Sequence, residues 1–319
     1  MNLLEQLKKV TKVVADTGDF ESVKKFRPID ATTNPSLIYA AAKDIKYSAL
    51  IDDAVSFAKC QSTNKQELVS IALDRLIVDF GLEILKIVPG RVSTEVDARL
   101  SYNTEASVKK ARELITIYKE AGIDRKRVLI KLASTWEGIK AAEILAKEDI
   151  HCNMTLLFSL PQAIACGNAG LQLISPFVGR VLDWYKKNSP EQQFSHGEEP
   201  GVILVKNIFK YYKKFGYATE IMAASFRNTG EIIELAGCDL MTIAPKFLDE
   251  LEQTEGVLDR KLFSENVKGS PINKIELDEN NFRQFLVEDL MASEKLSEGI
   301  QLFTDDIIKL EHLLLQKIG

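Results

Sequence analysis

Residues 128–158 read VLIKLASTWEGIKAAEILAKEDIHCNMTLLF. The run opens on Val128-Leu129-Ile130-Lys131-Leu132-Ala133, short and rich in branched apolar residues, which reads as a strand buried on both faces. From Trp136 to Lys147 the apolar residues Ile139, Ala142, Ile144 and Leu145 fall at helical spacing, and a second β-rich run follows at Asn153–Phe158. Strand, helix, strand is a parallel crossover unit, and repeating it with one hand leaves few folds to choose from.

The pattern extends along the chain. Strands are expected near Val13–Thr17, Asp30–Thr33, Val92–Val96, Val128–Ser134, Asn153–Phe158, Leu171–Ser175, Glu220–Ser225 and Leu240–Ala244. Between them lie amphipathic segments such as Ala106–Ala121, with Val108, Ala111, Leu114, Ile115 and Tyr118 on one stripe. Eight such units close most naturally into a (β/α)8 TIM barrel. A doubly wound open sheet is the competitor, weakened because no G-x-G-x-x-G loop follows the first strand.

Lys131 is the anomaly in its strand. Desolvation lowers a lysine pKa, and a neutral amine is a nucleophile toward carbonyls. A short edge strand with its lysine in solvent would explain the same residues, but a closed barrel has no edge. The side chain then points either into the interior or under the helices.

Composition narrows the chemistry. Of 319 residues 45% are hydrophobic, enough for one large barrel over 1–319, and no Pro-, Gly- or Ser-rich linker divides them. Lys plus Arg total 41 against 46 Asp plus Glu, and the net charge of -5 argues against a nucleic-acid-binding or anionic-membrane surface. Cys60, Cys152, Cys166 and Cys238 form no C-x-x-C pair, so they read as reduced thiols of a cytoplasmic protein. Three scattered histidines, His151, His196 and His312, make a histidine-rich metal site or a Ser-His-Asp triad a poor expectation. Charge within the N-terminal stretch MNLLEQLKK excludes a secretory h-region, and no run approaches the roughly 18 apolar residues of a membrane span.

Two further segments fall outside the repeat. Lys186–Gly201, KKNSPEQQFSHGEEPG, reads as a long exposed loop. After the eighth strand, helices are expected over Phe282–Ala292 and Glu294–Ile318, the second with Leu296, Ile300, Phe303, Ile307, Leu310 and Leu314 at three- and four-residue spacing. Lying on the core is the expectation for it, with a cover over the site as a further one.

In a parallel barrel the catalytic groups gather where the strands end and the strand-to-helix loops open. The first strand delivers Asp16 there; the second Thr32 and Asn34; the third Ser93, Glu95 and Asp97; the fourth Lys131. The fifth brings Asn153 and Thr155, the sixth Ser175 and then Arg180, the seventh Ser225 and Arg227. Period-two alternation puts Ser93, Glu95 and Asp97 on one face, Asn153 and Thr155 on one face, and Ser225 with Arg227 on one face. Val92, Val96, Cys152, Met154, Leu156, Ala224 and Phe226 fall opposite. Any one of these polar residues could be a turn residue or helix cap; seven strands ending this way is a pattern. A buried ion pair with a structural role alone stays open for Lys131.

Arg227 stands just before Asn228-Thr229-Gly230-Glu231, where a helix N-terminus would favour an anion, and Arg180 lies soon after Ser175-Pro176-Phe177. Two arginines on adjacent loops of an acidic protein suggest phosphate recognition, with two surface salt bridges an equal reading at this point. Amine, carboxylates, hydroxyl binders and a phosphate clamp together describe Schiff-base chemistry on a phosphorylated ketose.

The segments VVADTGD at 13–19, DATTNPSL at 30–37, VSTEVDARLSYNT at 92–104 and VLIKLASTWEGI at 128–139 resemble those of the transaldolases. So do CNMTLLFSLPQA at 152–163, ISPFVGRVLDW at 174–184, MAASFRN at 222–228 and DLMTIAP at 239–245, in family order over nearly the whole chain. The resemblance is to the long, dimeric, bacterial type of these class I Schiff-base transferases of the pentose phosphate pathway. It implies Lys131 as the Schiff-base lysine, Glu95 with Thr155 and a water as the proton relay, and Asp16 as the acid/base. Asn34, Thr32, Asn153 and Ser175 would hold the bound unit with Phe177 beside them, while Arg180, Arg227 and Ser225 would take the phosphate. Ketose and aldose phosphates as substrates, no metal or organic cofactor, and a cytoplasmic homodimer are implied as well. The rivals are a class I fructose-6-phosphate-type aldolase and a non-catalytic sugar-phosphate-binding barrel; Glu95 keeps the transferase type, and a non-catalytic barrel would be expected to have lost Lys131, Asp16 or Glu95.

Overall fold

The structure, a computed structural model, describes residues 1–265 and 271–319. Its strands are β1 (Lys12–Asp16), β2 (Asp30–Thr32), β3 (Val92–Glu95), β4 (Val128–Ala133), β5 (Cys152–Leu157), β6 (Leu173–Pro176), β7 (Glu220–Ala223) and β8 (Leu240–Ile243). Each pairs in parallel with the next and β8 returns to β1, closing the barrel expected from the sequence. Among the described residues no helix is long and apolar enough to cross a membrane.

Alternation along the strands separates two environments. Val13, Ala15, Val92, Ile130, Cys152, Met154, Ile174 and Met241 point outward and pack under the helices in the main core. The inward residues Val14, Leu129, Leu173, Met222 and Leu240 form a small apolar plug of their own. Two residues further along the same strands stand Asp16, Lys131, Ser175 and Thr242. The interior is therefore apolar at its floor and polar toward the end where the loops open, the end where barrels build sites.

Between β2 and β3 the chain inserts the helices Pro35–Ala42, Ser48–Lys59 and Lys65–Leu85, which with Ile307, Leu310 and Leu314 form a separate apolar cluster. The helix Thr104–Glu120 lies so close to Lys65–Leu85 that a Cβ on Gly81 would sit 1.7 Å from Tyr118 Oη, whose hydroxyl instead meets Thr94 Oγ1 at 2.6 Å. Lys186–Gly201 is the expected loop in the main, with helix Gly179–Asn188 ending inside it and helix Pro200–Phe215 beginning before its close.

The C-terminal helices divide differently from the expectation. The first covers Glu279–Glu288 and the second runs from Leu290 to Ile318. The break falls at Asp289, whose carboxylate accepts from Ala292 N at 2.9 Å and starts the new helix there. Met291, Leu296 and Phe303 of the long helix join Leu156, Phe158, Phe177 and Ala224 in an apolar layer over the mouth of the barrel. Gly299 permits this approach, since a Cβ there would come within 2.6 Å of Leu156 Cδ2. The covering position expected for this helix is the one it occupies.

Candidate active site

Lys131 and Glu95 are register partners on adjacent strands, both facing inward. Lys131 Nζ lies 2.8 Å from Glu95 Oε2, with the two side chains 6% and 5% exposed. The amine also donates to Thr33 O at 2.9 Å. The contact with Glu95 is an ion pair, and among the described residues Glu95 Oε2 is buried with no hydrogen-bond partner. Burial pushes the Glu95 carboxyl above its usual range, and the charge of Lys131 is the main opposing influence. Asp16 is raised for the same reason, against the pull of Lys131, Thr32 and Arg180.

Hydroxyls fix the orientation of both neighbours. Thr32 Oγ1 donates to Asp16 Oδ1 at 2.8 Å and lies 2.6 Å from Thr242 Oγ1. Having one proton to give, Thr32 accepts from Thr242, which sets the direction of the chain. Across the interior, Ser175 Oγ donates to Asn153 Oδ1 at 2.6 Å and Asn153 Nδ2 to Ser93 Oγ at 3.0 Å. Thr155 Oγ1 is buried and has no hydrogen-bond partner among the described residues. Asn34 caps helix Pro35–Ala42, accepting from Leu37 N at 2.9 Å.

These groups enclose a narrow cavity of about 60 Å³, lined by Asp16, Thr32, Asn34, Lys131, Asn153, Thr155, Ser175, Phe177, Arg180 and Ser225, with Ala224, Thr242 and Phe303. That is room for a few ordered waters and not for a sugar phosphate. A larger groove of about 770 Å³ lies on the outer helices beside Phe57, Asp74 and Lys110. It contains none of these residues, and chemistry rather than size selects the barrel mouth.

The two arginines part company. Arg180 lies between Phe177 and Phe303, 5.1 and 5.4 Å from the ring centres, and its Nη1 is buried with no partner among the described residues. Burial and the neighbouring Arg227 hold its guanidinium below the usual value, against Glu298, Glu95 and Asp16. A buried donor on a cation without an acceptor is costly, and an anion would relieve it. Arg227 stands at the rim, its Nε and Nη2 on Asp183 at 3.0 and 2.7 Å and its Nη1 3.5 Å from Ser225 Oγ. Helix Thr229–Glu234 begins where expected, with Glu231 N capped by Asn228 Oδ1, and Arg227 N, just before the cap, is held by Glu231 Oε2.

Three expectations need correction. Asp97 does not join Glu95, because β3 ends at Glu95 and Asp97 turns to cap Arg99 N at 2.9 Å and pair with its guanidinium. Leu156 and Ala224 face the mouth rather than the outer helices. Alternation from Met222 places Ala224 inward, and Leu156 and Ser225 adopt left-handed backbone, φ 52° and 61°, which turns both toward the mouth. Thr242 and Phe303 went unassigned to the site. A lone threonine two residues past Leu240 in LMTI carried a signal for the first; nothing local marked the second.

The family described as Transaldolase/Fructose-6-phosphate aldolase matches residues 13–314. A protein named Transaldolase from Thermosynechococcus vestitus is 59% identical over 317 residues, 98% of this chain and 81% of that protein. Transaldolase from Trichormus variabilis is 59% identical over 321 positions, 100% of this chain and 97% of that one. The Drosophila melanogaster protein named Probable transaldolase is 57% identical over 316 residues, covering 98% and 95%.

Proposed function

Because the chain belongs to the transaldolase/fructose-6-phosphate aldolase family, we propose that it is a transaldolase, moving a dihydroxyacetone unit from a ketose phosphate to an aldose phosphate through an imine on Lys131. The donor is fructose 6-phosphate or sedoheptulose 7-phosphate, and the acceptor glyceraldehyde 3-phosphate or erythrose 4-phosphate. The observation that carries this is the buried Lys131 amine held 2.8 Å from Glu95 in a cavity it shares with Asp16.

The residues divide the work by position. Lys131 attacks the donor's C2 carbonyl after passing a proton to Glu95, whose burial raises its affinity for that proton. Loss of water from the carbinolamine gives the iminium, with Glu95, Thr155 and a water moving the protons. Asp16 takes the proton of the C4 hydroxyl as the C3–C4 bond breaks, and the electron pair of that bond passes to the iminium to form an enamine. The aldose phosphate leaves, the enamine attacks a second aldehyde, and the early steps run backward. Asn34, Thr32, Asn153 and Ser175 hold the hydroxyls, with Phe177 packed beside them. Arg180, Arg227 and Ser225 take the phosphate, and Phe303 and Arg180 shift as the substrate enters. The imine nitrogen supplies the electron withdrawal, so no further cofactor is assigned.

Borohydride reduction with fructose 6-phosphate, followed by peptide mapping, tests the nucleophile. A dihydroxyacetone-derived adduct on Lys131 is expected, and label elsewhere or none would overturn the mechanism. Omitting erythrose 4-phosphate separates transferase from aldolase, because a transferase releases little free dihydroxyacetone. One barrel domain per chain, a homodimer and a cytoplasmic location belong to the same proposal. Light scattering at twice the mass of one chain and a single unfolding transition are the expected results for the first two.

A further inference from the structure

Behind the Ser225–Arg227 turn, outside the cavity, two acidic side chains are buried together. Glu231, in helix Thr229–Glu234, and Glu199, just before helix Pro200–Phe215, are 0% and 4% exposed. Glu231 Oε2 accepts from Arg227 N at 2.6 Å, and Asn228, which caps Glu231 N, donates through Nδ2 to Glu199 Oε1 at 3.4 Å. Among the described residues the remaining oxygens, Glu231 Oε1 and Glu199 Oε2, are buried with no hydrogen-bond partner, and the two carboxyls are near enough for the charge of Glu199 to act on Glu231. Ionised carboxylates only accept, so this contact is satisfied when one of them carries a proton.

The surroundings supply little charge to replace that proton. His196 Nδ1 lies 3.0 Å from Glu199 Oε1, with its side chain 61% exposed. Its ring covers Gly230, where a Cβ would come within 2.3 Å of it. The Arg227 guanidinium turns away to Asp183, Lys206 and Lys261 pair with Glu234, Glu198 bonds Ser195, and Glu250 bonds Thr229. Among the described residues neither buried carboxyl is paired with a lysine or arginine side chain.

We propose that Glu199 and Glu231 are positioning residues that hold one proton between them and, through Glu231 Oε2 on Arg227 N, fix the Ser225–Arg227 turn for the substrate phosphate. The inference rests on the assignment of that turn to phosphate recognition. Ser225 sits in left-handed backbone with its carbonyl held by Gly179 N at 2.8 Å, so the turn keeps its shape only while its neighbours hold it. Burial pushes the Glu231 carboxyl up to about 7, against the Arg227 N–H, and the charge of Glu199 adds to the rise. Because the net shift is upward, the ordered turn is favoured while the proton is bound and loses that advantage as pH rises through the folded value and two buried carboxylates face each other, even though ionised Glu231 is by itself the better acceptor for Arg227 N.

The test is KM for fructose 6-phosphate from pH 6.5 to 8.5. In the wild type it should rise roughly threefold to tenfold, the worth of about one hydrogen bond, with kcat changing less. Glu231→Gln should flatten the profile, because its amide donates to Glu199 and accepts from Arg227 N at every pH. Glu199→Gln should do the same, so one poorly folding variant does not end the test. The phosphate's own ionisation is common to all the proteins, and Glu231→Gln leaves the contact between His196 and Glu199 in place. A flat wild-type profile, or variants that rise in parallel with it, would overturn the role of the pair. Arg227→Ala with an unchanged KM would instead overturn the phosphate assignment beneath it.

Discussion

Replacing Lys131 by methionine separates the cost of the buried ion pair from its use. Lys131 Nζ and Glu95 Oε2 are 2.8 Å apart with side chains 6% and 5% exposed. At that separation and an effective dielectric of ~20 the attraction is about 6 kcal/mol. Desolvation of both charges offsets most of it, while removing one partner of a buried pair costs about 3–5 kcal/mol. The loss has a definite pH dependence. Burial raises the carboxyls of Glu95 and Asp16, and Lys131 is the largest influence restraining both. Methionine therefore lets both rise further. A carboxyl raised in the folded state binds its proton more tightly there than in the unfolded chain, so its favourable contribution is present at low pH and is lost as pH rises through the folded value. Lys131→Met should fall furthest below the wild type at pH 8 and approach it toward pH 5. With roughly 2.1 cal/mol/K per residue of unfolding entropy, the loss at pH 8 is about 4–7 °C in Tm. Thermal unfolding at pH 5, 6.5 and 8 reads it directly. Adding Glu95→Gln should return much of the stability at pH 8 while the protein stays inactive, since a neutral amide needs no counter-charge. A loss equal at every pH, or a double variant no more stable than the single one, would refute the reasoning.

Asp16→Asn keeps an acceptor for Thr32 Oγ1 and removes a carboxyl that burial raises. By the same sign it should raise Tm at pH 8, have less effect near pH 5, and lower turnover in the coupled assay. Phe303→Ala removes a 1% exposed ring over Lys131 and Arg180, and urea unfolding should show a loss of about 3–5 kcal/mol. Asp289→Ala deletes the cap on Ala292 N and should cost about 1 kcal/mol with KM unchanged. Cys60 is exposed while Cys152, Cys166 and Cys238 are buried with thiols pushed up by burial, so Ellman titration of the folded protein should give one fast equivalent and four after denaturation.

The barrel was readable because each strand carries its own signal. Short runs rich in β-branched or apolar residues at 92, 128, 152, 173 and 240 need no distant partner to be recognised, and every expected strand begins within two residues of the one formed. The inward polar set was readable for a related reason, since period two holds as long as the backbone stays extended. It held for Asp16, Glu95, Lys131, Asn153, Thr155 and Ser175. It broke where the strand ended or the backbone left the extended form. Asp97 lies beyond the end of β3, and Leu156 and Ser225 take positive φ without being glycine, which leaves no mark in composition or spacing.

Arg180 and Arg227 looked alike in the sequence, two arginines a few residues past adjacent strands. What separates them is the helix Leu290–Ile318, more than a hundred residues away from Arg180. Gly299 lets that helix settle where an added Cβ would lie only 3.4 Å from Arg180 Nη1, and Phe303 closes over the guanidinium, so among the described residues Arg180 Nη1 is buried without an acceptor while Arg227 keeps Asp183 at the rim. The difference is one of solvation, and solvation is set by whatever packs above the strand ends, which local patterns do not encode. It gives the two residues different expected costs. Arg180 has a buried donor that no protein group among the described residues satisfies, whereas Arg227 must give up or share Asp183 to bind the same anion. Substitution to alanine should accordingly raise KM for fructose 6-phosphate more at Arg180 than at Arg227, and a larger effect at Arg227 would place the anchor at the rim instead.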